Sequence, residues 1–480
     1  MNKNVLNVPI NSSINFKKLD GKKIVTAIQY QLLINLNLTL LEYDKNANLV
    51  TLLAEDYDIE ERVINIKIKK GVKTIGGHEI MAKDAEVSLK RLIMNNNGSH
   101  SRLSDLLCRE EINKVSNKCP GISSQGYELK ITAQKKSYIP FILSLLTNAD
   151  NVILPLSALS SSLSDSEILN FKETSGPYYI DNDKLTDEHV EKFKLSLNPK
   201  HFLYEKNLAS EVNYSHGDLN NVLKGEYNYI HSVVGLSLNT IKDAEAKNSI
   251  FTLHQTLPIK NTIIFSTQKG RKIFSSSELI IYGLKIKDFL LNSKEYYPNI
   301  VQNQTSYFPL ESEGNLRDDQ FSKITKIYDE LKNFTGKATN KIRVGVYKAL
   351  FDKYKIAFHN MKDIEIILVN SSPLDKNKEE VDLYITAMDS SFTESLDLLQ
   401  YNKNFGIFDV TDDDMNNYIN ADSKEVRIKI LQDIHFKSLI QGRFINIGAA
   451  PYYTILSKDW EVDPPKFFAG FPVWKIKRKI

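Results

Sequence analysis

The chain has 480 residues, more than the roughly 250–300 that a single core accommodates, so two or more lobes are expected. Hydrophobic residues make up 42% and charged residues 25%, which supplies ample core material and excludes a disordered chain. Lys and Arg number 62 against 59 Asp and Glu, and a net charge of +3 is too balanced for a nucleic-acid binder. In chain order, Leu6 to Ile10 reads as a short apolar start, followed by a polar turn at Asn11, Ser12 and Ser13. Thr26 to Leu41 is rich in Leu and Ile and predicts a buried helix. Val63 to Lys69 alternates, with Ile64, Ile66 and Ile68 on one face, as a half-wet strand does. Gly71 and Gly76-Gly77 then mark turns. Asp84 to Ile93 places Ala85, Leu89, Leu92 and Ile93 at helical spacing. Further on, strands are expected at Tyr127 to Ala133 and Lys192 to Leu197, and helices at Ile139 to Leu146 and Leu219 to Lys224.

The second half alternates strands with helices, the α/β signature. Strands are predicted at Thr262 to Ser266, Ile342 to Val346, Ile364 to Val369 and Val381 to Ala387. Helices are predicted at Glu278 to Leu291, Phe321 to Phe334, Lys348 to Asn360, Ser395 to Gln400 and Val426 to Leu439. Phe444 to Ile455 reads as one extended segment. No apolar stretch approaches the ~20 residues that span a bilayer. The first residues lack the apolar core of a secretory signal, so the chain reads as either cytoplasmic or a mature form with an added Met1.

No catalytic signature is present. The nine histidines are scattered, without a paired zinc motif, and there is no nucleophile elbow, P-loop or dinucleotide fingerprint. Asp412-Asp413-Asp414 lacks calcium-loop spacing and instead suits the start of a helix, whose dipole favours carboxylates. Neither a cofactor nor a metal is expected. Cys108 and Cys119, with ten residues between them, suit inert thiols in a reducing compartment or a disulfide closing a small loop outside it.

One segment is more specific. Lys69-Lys70-Gly71-Val72-Lys73, then Gly77, Ala82, Asp84, Ser88 and Arg91, resembles the strand–turn–helix phrase of the bacterial extracellular solute-binding proteins of the peptide/nickel family, the cluster C binding components of ABC importers. Leu53-Ala54-Glu55 precedes it as the family's own phrase does. Ser175-Gly176-Pro177-Tyr178, Asn198-Pro199, Leu223 to Tyr227, Ile263 to Thr267, Glu425-Val426-Arg427 and Phe444 to Tyr453 resemble later family segments in the same order.

The resemblance implies an α/β, two-lobed periplasmic-binding-protein-like fold of type II with an extra inserted subdomain. The first lobe would comprise 1–40, 153–258 and 446–480, the inserted subdomain 41–152, and the second lobe 259–445. It implies a non-enzymatic monomer in the periplasm or otherwise outside the cytoplasmic membrane. That monomer would capture a peptide or other small molecule by hinge closure and deliver it to a membrane permease. A solute sensor or degenerate scaffold of the same fold is the alternative. The candidate ligand contacts are Ser12 and Ser13, Asn261 and Thr262, and Met388, Asp389, Ser391 and Phe392. In the family's second-lobe phrase an Asp pairs with the peptide ammonium. Here Ser391 falls on that Asp, Met388 on its Trp and Phe392 on its Tyr, so Asp389 or Glu394 is the available substitute.

Overall fold

The computed structural model describes residues 4–10, 13–21, 27–94, 106–107, 119, 121–160, 168, 170–181, 189–217, 226–230, 243–244, 246–247, 250–292, 305–309, 312–333, 341–347, 351, 358–359, 361, 363–369, 380–390, 396–465 and 471–479. The helix expected at Leu219 to Lys224 and nearly all of that expected at Lys348 to Asn360 lie outside these residues. The chain divides into two compact units, Met1–Thr256 with Tyr453–Ile480, and Leu257–Tyr452. It passes from one to the other at Thr256/Leu257 and back at Tyr452/Tyr453.

In the first unit, Val5–Ile10 lies at the edge of a four-stranded sheet, parallel to Glu211–His216, which continues antiparallel through Lys192–Leu197 to Tyr178–Tyr179. A second four-stranded sheet runs Ala54–Glu60, Val63–Ile68, Glu128–Thr132, Ile122–Gln125. The alternation read in Val63–Ile68 appears as buried Ile64, Ile66 and Ile68. Gly77, with φ +94°, forms the turn that leads into helix Ala82–Met94, a backbone state that suits glycine. Helix Ala27–Leu36 is shorter than Thr26 to Leu41 predicts. Beyond it, the Leu38 N–H turns to the Ser175 hydroxyl and Leu41 enters a strand.

The second unit is built on one five-stranded sheet in the order Ile364–Val369, Ile342–Tyr347, Leu383–Asp389, Lys260–Ser266, Phe444–Ala450. The first three strands run parallel to one another, and Lys260–Ser266 is antiparallel to both of its neighbours. Helix Ser276–Asn292 lies against Phe444–Ala450 and against helix Asp318–Lys332. Gly283 allows the close approach, since a Cβ there would sit 2.6 Å from Ile445 Cγ1. The segment expected to run extended from Phe444 to Ile455 is interrupted at Pro451. Phe444–Ala450 belongs to this sheet, and Tyr453–Ser457 belongs to a three-stranded sheet of the other unit. Asp412, Asp413 and Asp414 form the first turn of helix Asp412–Asn420, where Thr411 and Asp414 close a capping box.

Candidate functional site

Strand Lys260–Ser266 carries the site because it lies between Leu383–Asp389 and Phe444–Ala450 and its first residues follow the first crossing between units. Its register sets Lys260 opposite Asp389, Asn261 opposite Met388 and Thr262 opposite Ala387. On the other side the partners are Ala450, Ala449 and Gly448. Residues directly opposite in an antiparallel pair share a face. Asn261, Met388 and Ala449 therefore face the interior, and all three are buried. Lys260, Asp389 and Thr262 share the outer face with the small residues Ala387, Gly448 and Ala450. Four of the sequence-derived candidates, Asn261, Thr262, Met388 and Asp389, are thus brought together, two on each face. Ser13 belongs to the other unit, where its hydroxyl lies 3.1 Å from His189 Nδ1. Ser12, Ser391 and Phe392 lie outside the described residues, as do Glu394 and Cys108; Cys119 is buried.

The interior face carries a buried hydrogen-bond network. The Asn261 amide donates to the Tyr307 carbonyl at 2.8 Å and accepts from the Asn446 amide at 2.9 Å. Asn446 also donates to the Ser306 carbonyl. A bulge between Thr262 and Ile263 keeps Asn446 on this face, because the extra residue shifts the pairing by one. The Tyr307 N–H donates to His435 Nε2 at 3.0 Å, so His435 Nδ1 carries the proton and points it at the Gly314 carbonyl, 3.2 Å away. Burial pushes the His435 pKa down to about 3, which fixes the neutral ring. The Tyr307 hydroxyl completes the chain by donating to the Asp389 backbone carbonyl at 2.7 Å. Asn261 therefore holds Tyr307, and Tyr307 holds the strand end that bears Asp389.

The outer face carries opposite charges that both meet Tyr452. Tyr452, the last residue before the chain leaves this unit, donates its hydroxyl to the Asp389 carboxylate. The Lys260 ammonium lies over the same ring, 5.3 Å from its centroid. Water reaches the Asp389 carboxylate, yet protein crowds it closely enough that desolvation raises its pKa, against the Tyr452 hydroxyl and the Lys260 charge that lower it. The same crowding lowers the pKa of Lys260, opposed by Asp389. The sequence did not flag Lys260 or Tyr452. The available signals were a lysine opening a β-branched strand and an aromatic beside Pro451 at the second crossing.

Among the described residues, no group of three or more His, Cys, Asp or Glu is placed to hold a metal ion, and no helix is long and apolar enough to cross a membrane.

No protein-family model matches the sequence, and no curated protein matches it. Solved structures do. Haemophilus influenzae OppA in complex with the peptide RPPGFSPFR superposes with a TM-score of 0.75 at 13% identity, covering 100% of this chain and 99% of that one. The Escherichia coli murein tripeptide binding protein MppA gives the same values. Staphylococcus aureus NikA in complex with Ni(L-His)2 gives 0.72 at 15% identity, covering 99% of this chain and 100% of that one. The fold is that of a type II periplasmic binding protein. At such identity the likeness establishes the architecture and leaves the ligand to the residues. In this periplasmic-binding-protein fold the cluster of Lys260, Asp389 and Tyr452 lies within four residues of one chain crossing at Lys260 and adjoins the other at Tyr452.

Proposed function

We propose that the chain is the solute-binding component of an ABC importer. It would act outside the cytoplasmic membrane, capture a peptide or peptide-like small molecule by hinge closure and pass it to a membrane permease. The observation that carries this reading is the match over the whole length to solved binding proteins. Among them are one in complex with a nonapeptide, one with the dipeptide Met-Leu and one with Ni(L-His)2. The polar cluster of Lys260, Asp389 and Tyr452, whose first and last members are close in sequence to the two chain crossings, supports it. The alternative, a sensor or degenerate scaffold of the same fold, draws on Asp389, whose carboxylate already holds the Tyr452 hydroxyl.

A thermal-shift screen with mixed peptides, sugars and metal–amino-acid complexes tests the reading. A ligand at about a hundred times its Kd stabilises the native state by about 3 kcal/mol, a shift of several degrees. Peptides are expected to raise the midpoint. No shift with any solute overturns the proposal.

A further inference from the structure

We infer that Lys260 is the group that recognises the ligand, and that the ligand meets it with a carboxylate. This rests on the solute-binding reading and names the chemical class that the site takes.

Three other lysines held in or against this fold's interior have partners. Lys69 donates to the Leu52 and Ala54 carbonyls, Lys90 pairs with Glu86 at 2.7 Å, and Lys287 donates to the Asn446 carbonyl at 2.8 Å. Lys260 is half-buried, and among the described residues its ammonium meets the face of Tyr452 and makes no hydrogen bond or ion pair. An ammonium has three donors, and a ring face satisfies none of them as a carboxylate does. Removing such a charge from bulk water is unfavourable unless a partner arrives.

A partner of opposite charge stands directly across the strand pair, yet the ion pair is not made. Tyr452 occupies both sides of the gap, with its ring under Lys260 and its hydroxyl on Asp389. Asp389 is thereby partly satisfied and Lys260 is not. The neighbours on this face, Ala387, Gly448 and Ala450, are too small to cover the ammonium. Crowding also holds the Lys260 pKa below the ordinary lysine range, the state that an incoming anion relieves. The free valence of the site is therefore cationic, and a ligand carboxylate answers it with charge-assisted hydrogen bonds.

The test uses the full chain and four probes in titration calorimetry: trialanine, N-acetyl-trialanine, trialanine amide and succinate. Trialanine and its acetylated form are expected to bind alike, with the amide ten- to a hundredfold weaker. Lys260→Met should reduce trialanine binding to the level of the amide, while Lys260→Arg should retain the preference for the free acid. Succinate binding that is lost in Lys260→Met supports the inference without any peptide. Binding abolished by acetylation rather than by amidation overturns it in favour of an ammonium anchor. Wild-type affinity in a folded Lys260→Met variant overturns it too, and both results leave the solute-binding reading standing. A wild-type chain that binds none of the four overturns the inference, while the wider thermal screen decides the solute-binding reading separately.

Discussion

Lys260 and Asn261 are adjacent in sequence and point to opposite faces of one strand. Asn261 is fully buried, and its amide serves the Tyr307 carbonyl and Asn446. Asn261→Leu keeps the volume and strands those partners, which costs about 2–3 kcal/mol. Urea unfolding should show this loss, with the preference for a free carboxylate intact in the folded fraction. A variant of unchanged stability that no longer binds ligand would make Asn261 a contact instead. The sequence marked Asn261 as polar and placed it near a crossing. It did not show which face the side chain takes, because its partners lie 46 and 185 residues away and the bulge that aligns Asn446 leaves no local pattern.

Helix Ala82–Met94 shows the same limit at the next scale. Its apolar spacing and glycine turn were legible. The structure adds a role for Asp84 at the helix start. Asp84 is buried, and its carboxylate accepts from the Met81 N–H at 2.8 Å, from the Leu156 N–H at 2.7 Å and from His78 Nε2 at 2.8 Å. One side chain thus ties the helix start to a segment 72 residues on, and His78 belongs to the tie. Asp84→Ala leaves two backbone N–H groups without their partner and should cost about 3 kcal/mol, well beyond the ~1 kcal/mol of an ordinary exposed cap. Asp84→Asn, which keeps the acceptor oxygen, should recover part of that in the same urea titration. The adjoining strand Ala54–Glu60 was not legible as a strand. It is the edge of its sheet, and Glu55, Asp56, Asp58 and Glu60 erase the alternation. Charge on an edge strand discourages pairing with another chain.

Across the whole molecule, the α/β alternation and the ordered family-like phrases led to the architecture that the solved structures match. What they could not supply is how each unit is held together inside, and a buried neutral histidine in each gives a way to measure it. His201 in the first unit has its pKa pushed down to about 4 by burial, against its bond to the Ser175 carbonyl at 3.0 Å. His435 in the second is pushed down to about 3 by burial, against its bond to Gly314. In both, the folded pKa lies below the unfolded value of 6.5, so the unfolded chain takes up the proton first as pH falls. The stability each neutral ring confers is complete above about pH 6.5 and is lost on acidification, levelling off near pH 4 for His201 and near pH 3 for His435. The slope is about 1 kcal/mol per pH unit for each ring. His201→Gln and His435→Gln retain an acceptor without the titration. Two-unit chains need not unfold in one step, so unfolding should be followed from pH 7 to pH 4 for the wild type and each variant. Each substitution is expected to flatten the acid slope of its own unit's transition and leave the other's unchanged. A His435→Gln variant with the full wild-type slope would mean that the ring is not held neutral by burial, and that the network behind Asp389 is looser than its hydrogen bonds imply.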